Sequence, residues 1–252
     1  MRGLKAWLRE RQPGKLVGKL GRSHFRELRH GEPSGQLLRG ITKRMESRLF
    51  SDGNLPHDAT HGHDPSRWSR TSGRKRGERV DKQLTRCVNS GAGAKGARFK
   101  LTQLVLTFLK QQGLKPVLAQ RVVASLGHRL ATAIDLLCYD EAQGCLWVVE
   151  LKCGYAGDRA RAAERMGCAL RMQAPLGKAE DSLTNRHILQ AVLGREMLVR
   201  EPRFLETLMA RFGVSDVRAA VLYANGVAVD LVLPPRWWLD KAPKALDAIA
   251  GV

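Results

Sequence analysis

The spacing of apolar residues predicts alternating helices and strands from about residue 80 to the end of the sequence. Residues 80–87 and 101–109 carry apolar side chains at intervals of three and four, which is the spacing of one helix face. Three runs rich in β-branched and other apolar residues follow, and they predict strands at 117–124, 131–139 and 145–152. The last two runs flank a polar connection, 140–144, that is short enough for a hairpin.

The same pattern continues after residue 152. Helical spacing and apolar runs predict helices at 160–172, 183–199 and 203–212, and strands at 217–223 and 227–233. Asn225 and Gly226 lie between the last two strands, where Asn-Gly favours a tight turn. The order of helix, three strands, helices and two strands predicts a mixed α/β domain with a central sheet flanked by helices.

Residues 1–75 have a different composition. They combine many basic residues with Gly, Pro, Ser and His, and no apolar period is sustained along them. Over residues 1–80 the basic residues exceed the acidic ones by 11. We therefore expect a basic, largely disordered N-terminal arm at 1–75 and a folded domain at 76–252.

The charge of the whole chain favours a polyanionic partner. With 43 Lys and Arg against 24 Asp and Glu, the net charge is +19 and the isoelectric point is near 10.4. This charge favours DNA first and leaves RNA open, and a ribosome-associated or anionic-membrane-associated protein has the same signature. The densest basic cluster, Arg74-Lys75-Arg76, is typical of a nuclear-import signal, a phosphate-binding patch or a solvated linker.

Cysteine usage and hydropathy bear on the compartment. The five cysteines form no C-x-x-C pair and lie mostly in apolar runs, which is typical of reduced, buried thiols. The sequence contains no apolar run of about 18 residues, so we expect no membrane span. These features predict an intracellular protein of the nucleus or another nucleic-acid-containing compartment. They leave the oligomeric state open.

Three ionisable residues stand out in the two strands of the predicted hairpin. Asp135 lies in the middle of the run 131–139, and Glu150 and Lys152 lie at the end of the run 145–152. A carboxylate in an apolar strand is costly to bury unless it is paired or binds a cation. Alternation along the strand places Glu150 and Lys152 on one face, and antiparallel pairing brings Asp135 opposite Glu150.

Two carboxylates beside a lysine suit metal-dependent hydrolysis of a phosphodiester. Carboxylate oxygens are hard ligands for Mg²⁺, with Mn²⁺ expected to substitute, and the metal polarises the phosphate and lowers the pKa of its bound water. A lysine orients that water or stabilises the negative charge that develops. The alternative is a buried salt bridge of Lys152 with Glu150 or Asp135 that has no catalytic role.

The arrangement of Asp135 and Glu150-Leu151-Lys152 on adjacent strands resembles the PD-(D/E)XK nuclease superfamily. The resemblance implies a restriction-endonuclease-like core of a helix, a three-stranded meander, a second helix and a further strand. It also implies that Asp135 and Glu150 bind the metal, that the Leu151 carbonyl completes the metal site, and that Lys152 activates or orients the water. The match extends from about residue 76 to residue 233, and only the strand pair is specific.

Further residues resemble the RecB and lambda-exonuclease branch of that superfamily. Gly77-Glu78-Arg79-Val80-Asp81 stands where that branch has an upstream helix. Glu78 and Asp81 are therefore candidate third acidic ligands, and the alternative for each is a helix-start charge. Gln190 resembles the glutamine of the branch's Q-x-x-x-Y helix and is a further candidate catalytic residue.

Two residues depart from the pattern of that branch. Gly194 replaces the tyrosine of its helix motif, and Gln120 replaces an acid that related enzymes often carry on the first strand. These departures leave the number of metal ions open. The resemblance implies a Mg²⁺-dependent nuclease that hydrolyses DNA, as an exonuclease or end-processing enzyme in replication or recombination. The alternative is a non-catalytic nucleic-acid-binding protein on a nuclease fold, against which the intact Asp135, Glu150 and Lys152 argue.

Overall fold

Helices cover both faces of one mixed β-sheet, as the apolar pattern predicts. The computed structural model of the chain describes residues 2–11, 14–17, 24–27, 35–50, 70–153, 171–226 and 228–251. In these residues eight strands form one open sheet, and the expected α/β architecture is confirmed. No helix in the described ranges is long and apolar enough to cross a bilayer.

The predicted elements can be compared with the observed ones. The helices of the described residues are α1 (Arg2–Glu10), α2 (Ile41–Arg48), α3 (Arg70–Ser90), α4 (Lys100–Gln111), α5 (Leu183–Val199), α6 (Phe204–Phe212) and α7 (Arg236–Ala250). The strands are β1 (Gly14–Val17), β2 (His24–Glu27), β3 (Leu37–Gly40), β4 (Leu114–Ser125), β5 (Leu130–Asp140), β6 (Cys145–Cys153), β7 (Asp216–Ala224) and β8 (Val229–Val232). The helix predicted at 160–172 lies almost wholly outside the described residues. Each other helix and strand predicted after residue 80 has a counterpart.

The centre of the sheet is a meander followed by a parallel strand. β4, β5 and β6 pair antiparallel in chain order, which confirms the predicted hairpin of β5 and β6. β7 pairs parallel with β6, and β8 pairs antiparallel with β7. A parallel pair requires a long crossover connection, and α5 and α6 lie within it.

β5 pairs with a single strand along one edge and with two strands along the opposite edge. Along the first edge, β4 pairs with β5 from Leu130 to Asp140. Along the opposite edge, β3 pairs in parallel with Leu130 and Ala131, and β6 pairs antiparallel with the second half of β5, beginning at Leu136. Residues 132–135 lie between these two pairings, so the sheet divides there into what we call the fork. Asp135 lies in the fork, one residue before the pairing with β6 begins.

Close packing of α5 on the sheet explains Gly194. A Cβ atom at this position would lie 3.6 Å from Cγ1 of Ile134 and 3.7 Å from Cγ1 of Val148. Those distances leave room for a methyl group in ordinary contact, but no room for a larger side chain without moving the helix. The tyrosine expected here from the resemblance is therefore incompatible with the observed packing.

The described N-terminal segments belong to the core. Leu4, Trp7 and Leu8 of α1 are buried in the same apolar cluster as residues of α5, α6 and α7, together with Ile41 and Met45 of α2. The expectation of a largely disordered arm at 1–75 therefore does not hold for residues 2–11 and 35–50, which share one of the apolar clusters of the domain. Leu4, Trp7 and Leu8 have the spacing of one helix face, and their burial outweighs the surrounding basic residues. Residues 51–69 lie outside the described ranges.

Candidate active site

The carboxylate of Asp135 takes the place of a strand partner in the fork. The pairing of Leu136 with Val149 would, if continued, put Asp135 opposite Glu150. Instead, the backbone N–H of Leu151 donates to Oδ2 of Asp135 at 2.8 Å. The N–H and C=O of one strand residue point to the same edge, so the Leu151 carbonyl also faces the fork. Asp135 thus holds β6 in register at the point where its pairing with β5 ends.

Glu150 is buried next to Asp135. Its relative exposure is 5%, and its carboxyl group is close enough to hydrogen-bond with that of Asp135. Burial, followed by the negative charge of Asp135, raises the pKa of Glu150 to about 8, although Lys152 opposes the shift. The two acids that the sequence singled out therefore meet at one place, where their negative charges disfavour each other.

Lys152 connects this pair of acids to helix α5. Its Nζ donates to Oε1 of Glu150 at 2.6 Å and to Oε1 of Gln190 at 3.1 Å. Leu151 packs against the apolar cluster below α3 and α4, so it points to the opposite face, as alternation predicts. Gln190 thus lies beside Lys152, and its amide oxygen helps to fix the position of the ammonium group.

In the sequence, Gln120 stands out only because it replaces an acid that the resembled nucleases often carry. In the structure, its side chain bridges two carboxylates. Its Nε2 donates to Oδ1 of Asp81 at 2.7 Å and to Oδ1 of Asp135 at 3.1 Å. Its backbone has a φ of +55°, a left-handed conformation that is rare for a residue other than glycine and strained within a strand. Backbone strain of this kind is compatible with a functional position, because in this conformation the side-chain amide of Gln120 points at both carboxylates.

Both central strands change face at Gln120 and Asp135. Leu118 belongs to the core cluster around α1 and α6, and Arg121, three residues later, contacts the same two helices. On β5, Ile134 and Leu137 likewise both belong to that cluster. Regular alternation would put residues three apart on opposite faces. The interruption frees Gln120 and Asp135 from the regular pattern, so that they reach a side chain on α3.

That side chain is Asp81, one of the two candidate third acids. Burial, and then the charge of Asp135, raise its pKa to about 6, while Gln120 and Lys82 oppose the shift. Glu78, the other candidate, is exposed one helical turn earlier. Asp81 is therefore the candidate that the structure joins to Asp135 through Gln120.

Cys153 lies at the border of the acidic group. Burial, and next the charge of Asp135, raise the pKa of its thiol to about 12, with Asp81 adding to the shift and Arg76 opposing it. A thiol with so high a pKa is protonated at neutral pH and is a poor nucleophile. The thiol is therefore a weaker candidate for chemistry than the carboxylates and Lys152.

The exposed face of α3 is basic next to the acidic site. Arg79, Lys82 and Arg86 are exposed along the helix. With Arg98 and Phe99 they line a pocket of about 340 Å³. We call these five residues the basic face. Because Asp81 belongs to the same helix, the basic face begins within one turn of the acids.

No protein-family model matches the sequence, and no curated protein matches it. The chemistry of the chain is therefore inferred from its own residues. Among the described residues, no three His, Cys, Asp or Glu side chains are arranged as a metal site.

Proposed function

We propose that the chain is a metal-dependent nuclease that hydrolyses phosphodiester bonds of DNA. The observation that carries the proposal is the meeting of the Asp135 and Glu150 carboxyl groups in the fork, with the Lys152 ammonium 2.6 Å from Glu150. Two acids and a lysine are the groups that metal-assisted phosphodiester hydrolysis uses. Nothing in a structural salt bridge requires a second carboxylate at the same place, where it makes burial less favourable.

The topology supports the same proposal. We propose that α3, the meander of β4 to β6, α5 and β7 form a PD-(D/E)XK-like core, because they follow the order of helix, three strands, helix and parallel strand. Gln190 on α5 accepts from Lys152, and Gln120 joins Asp81 on α3 to Asp135, so both helices of that core reach the site. The departures at Gln120 and Gly194 make this a variant of the pattern.

The donor set fits Mg²⁺. Mg²⁺ usually keeps several waters and binds one or two carboxylates, so a site with fewer than three acidic side chains in contact is sufficient. Asp135 and Glu150 would hold the ion, together with the Leu151 carbonyl that faces the fork, and Mn²⁺ would substitute. Burial, and then the negative charge of Asp135, raises the pKa of Glu150, and a divalent cation held by both carboxylates would favour their charged forms. A bound ion supplies polarisation of the phosphate and a lower pKa for water.

The chain's own residues have separate roles in the proposed reaction. Lys152 holds its proton at Nζ and orients the attacking water or stabilises negative charge on the phosphate. Gln190 positions Lys152 through the 3.1 Å hydrogen bond to Nζ. Gln120 donates to one oxygen of Asp81 and one of Asp135, and so fixes the two carboxylates relative to each other. The basic face supplies contacts to phosphates of the backbone, which contribute affinity and no sequence preference.

One observation favours a second function, a non-catalytic nucleic-acid-binding protein. Lys152 already pairs directly with Glu150, as in a structural salt bridge. That function needs the basic face and has no use for divalent ions. Binding of DNA without cleavage under every metal condition would distinguish it from the nuclease.

The test is a digestion assay on end-labelled linear duplex, circular and single-stranded DNA, and on RNA. Each substrate is incubated with Mg²⁺, with Mn²⁺ and with a chelator. We expect metal-dependent cleavage that Asp135→Asn lowers by at least about 100-fold. Asp140→Asn is the matched control, because Asp140 ends the same strand and accepts a hydrogen bond from Gln143 in the turn. Cleavage by Asp135→Asn at the rate of the unsubstituted chain would overturn the proposal.

A further inference from the structure

A cleft of about 700 Å³ opens between the N-terminal segment and the fork. One side is formed by β2, β3 and the start of α2, and the other by β4 and β5. Gln120 and Asp135 are among the residues that line it. The cleft is therefore continuous with the acidic site, and its outer part is built by a segment that the apolar pattern did not assign to the folded domain.

The outer part of the cleft carries positive charge. Arg39 and Lys43 are exposed at its rim, and Glu46 is the acid that accompanies them. Arg44 lies behind them and donates from Nε to the carbonyl of Ile249 at 3.0 Å. Its pKa is lowered by burial and then by the charges of Arg39 and Arg48, so positive charges crowd this edge of the molecule. An anion at the rim would relieve that repulsion.

The wall of the cleft is apolar. Leu37 is 51% exposed, which is unusual for a leucine in a strand, and it lines the cleft with Phe25 and Ala133. An apolar wall beside polar groups that fix the ligand's orientation is typical of a site for a small organic ligand, and the volume of the cleft is within the usual range of about 300–1,000 Å³. A ligand that carries a phosphate and a planar ring matches both parts of the cleft, because the phosphate suits the basic rim and the face of the ring suits the apolar wall.

We propose that this cleft binds the nucleotide next to the scissile phosphodiester. The base lies against Leu37, and Arg39 and Lys43 bind the neighbouring phosphate. The scissile group then lies near Asp135, which lines the same cleft. This inference rests on the proposed nuclease function and adds to it that the substrate enters as a single strand, because the cleft is far too small for a duplex.

Binding is tested without cleavage, on the full chain in the presence of a chelator. The probes are dAMP, deoxyadenosine and inorganic phosphate, and affinities are measured by calorimetry. We expect dAMP to bind more tightly than either fragment. The double variant Arg39→Ala, Lys43→Ala should weaken dAMP binding by about tenfold or more, because hydrogen bonds to charged groups contribute that much. Leu37→Asn should weaken dAMP and leave inorganic phosphate unaffected.

Lys244→Ala on α7 is the matched control, because Lys244 is exposed and does not line the cleft. Thermal unfolding of every variant verifies that the segment still packs, and the single variant Lys43→Glu tests the charge if the double variant is unstable. Affinity for dAMP that is absent, or that is equal in the variants and in the unsubstituted chain, would overturn the inference.

Cleavage distinguishes this inference from the proposed function. If the inference is right, the double variant raises the concentration of single-stranded DNA needed for half-maximal cleavage and changes the saturating rate less. Metal-dependent cleavage with no dAMP binding would overturn the assignment of the cleft as a nucleotide site and support the nuclease function. Specific dAMP binding by a chain that cleaves none of the substrates would support the cleft as a nucleotide site and overturn the nuclease.

Discussion

Arg121 and Glu201 form a buried ion pair in which two guanidinium nitrogens each lie 2.8 Å from a carboxylate oxygen. Arg121 also donates to the backbone carbonyls of Leu8 and Arg11, so a single side chain joins β4, the end of α1 and the loop before α6. Removing one partner of a buried pair leaves an uncompensated charge. We therefore expect Arg121→Met to lower the free energy of unfolding by about 3–5 kcal/mol.

Chemical denaturation measures this cost. The double variant Arg121→Met, Glu201→Leu should recover much of the loss, because no buried charge is then left unpaired. Arg203→Met is the control, since the Arg203 side chain is 86% exposed and lies near the same loop. Equal stability of Arg121→Met and Arg203→Met would contradict the role given to the buried pair.

The N-terminal helix is expected to be necessary for stability. Trp7 is 7% exposed, and its ring centroid lies 5.3 Å from that of Phe204. Trp7→Ala should cost about 3–5 kcal/mol, the usual range for removing a large buried aromatic. Deleting residues 2–11 should lower the unfolding midpoint further, measured by thermal denaturation. A deletion variant with an unchanged midpoint would mean that α1 does not contribute to the core.

Replacing Lys152 separates chemistry from binding. Lys152→Ala should lower single-turnover cleavage by at least about 100-fold, because few groups carry the chemistry. DNA affinity should change little, because it is distributed over many phosphate contacts. Lys115→Ala is the control, since Lys115 pairs with Glu141 at an exposed position. Unchanged turnover in Lys152→Ala would show that this lysine is structural.

The protonation of Glu150 should make the stability of the metal-free chain depend on pH. Its ordinary pKa is 4.5 and its folded pKa is about 8, so between these pH values the folded chain binds a proton that the unfolded chain releases. The free energy of unfolding therefore falls as the pH rises from about 4.5 to about 8. Glu150→Gln should flatten this fall, whereas Glu206→Gln, at an exposed position, should not. Denaturation at several pH values with a chelator present makes the comparison, and equal slopes would contradict it.

The basic face should determine part of the salt dependence of DNA binding. Each phosphate contact that is lost should reduce the slope of log affinity against log salt by about 0.9. Lys82→Ala combined with Arg86→Ala should therefore reduce it by about 1.8 if each residue contacts one phosphate. Lys244→Ala on α7 is the control, because α7 belongs to the cluster on the opposite face of the sheet. An unchanged slope in the double variant would place the DNA elsewhere.

The local spacing of apolar residues predicted the helices and strands after residue 80. The features that it did not predict depend on contacts between distant parts of the chain. The strands around Asp135 and Glu150 were visible because long apolar runs have few alternatives to burial. The fork was not visible, because it depends on β3 pairing with Leu130 and Ala131 about 90 positions further along the chain. The role of Gln120 requires a backbone φ of +55°, and no residue type at this position signals that conformation.

The N-terminal segment was misjudged for a different reason. Leu4, Trp7 and Leu8 have helical spacing that is legible in the sequence, but the basic residues between them resemble a solvated arm. Composition averaged over 75 residues concealed a nine-residue helix. A shorter window would have detected it.

The contacts of α1 also affect how the chain is made. Lys5 donates to the carbonyl of Val88 at 2.6 Å, and Arg11 donates to that of Pro202, 191 residues later. At a synthesis rate of about 5–20 residues per second, α1 waits about 10–40 s before Pro202 exists. During that time its apolar face lacks Phe204 and the rest of α6, so nascent chains expose part of that face to aggregation and to chaperones that bind apolar segments. The last contacts of α1 therefore form only after a segment 191 residues later has been made.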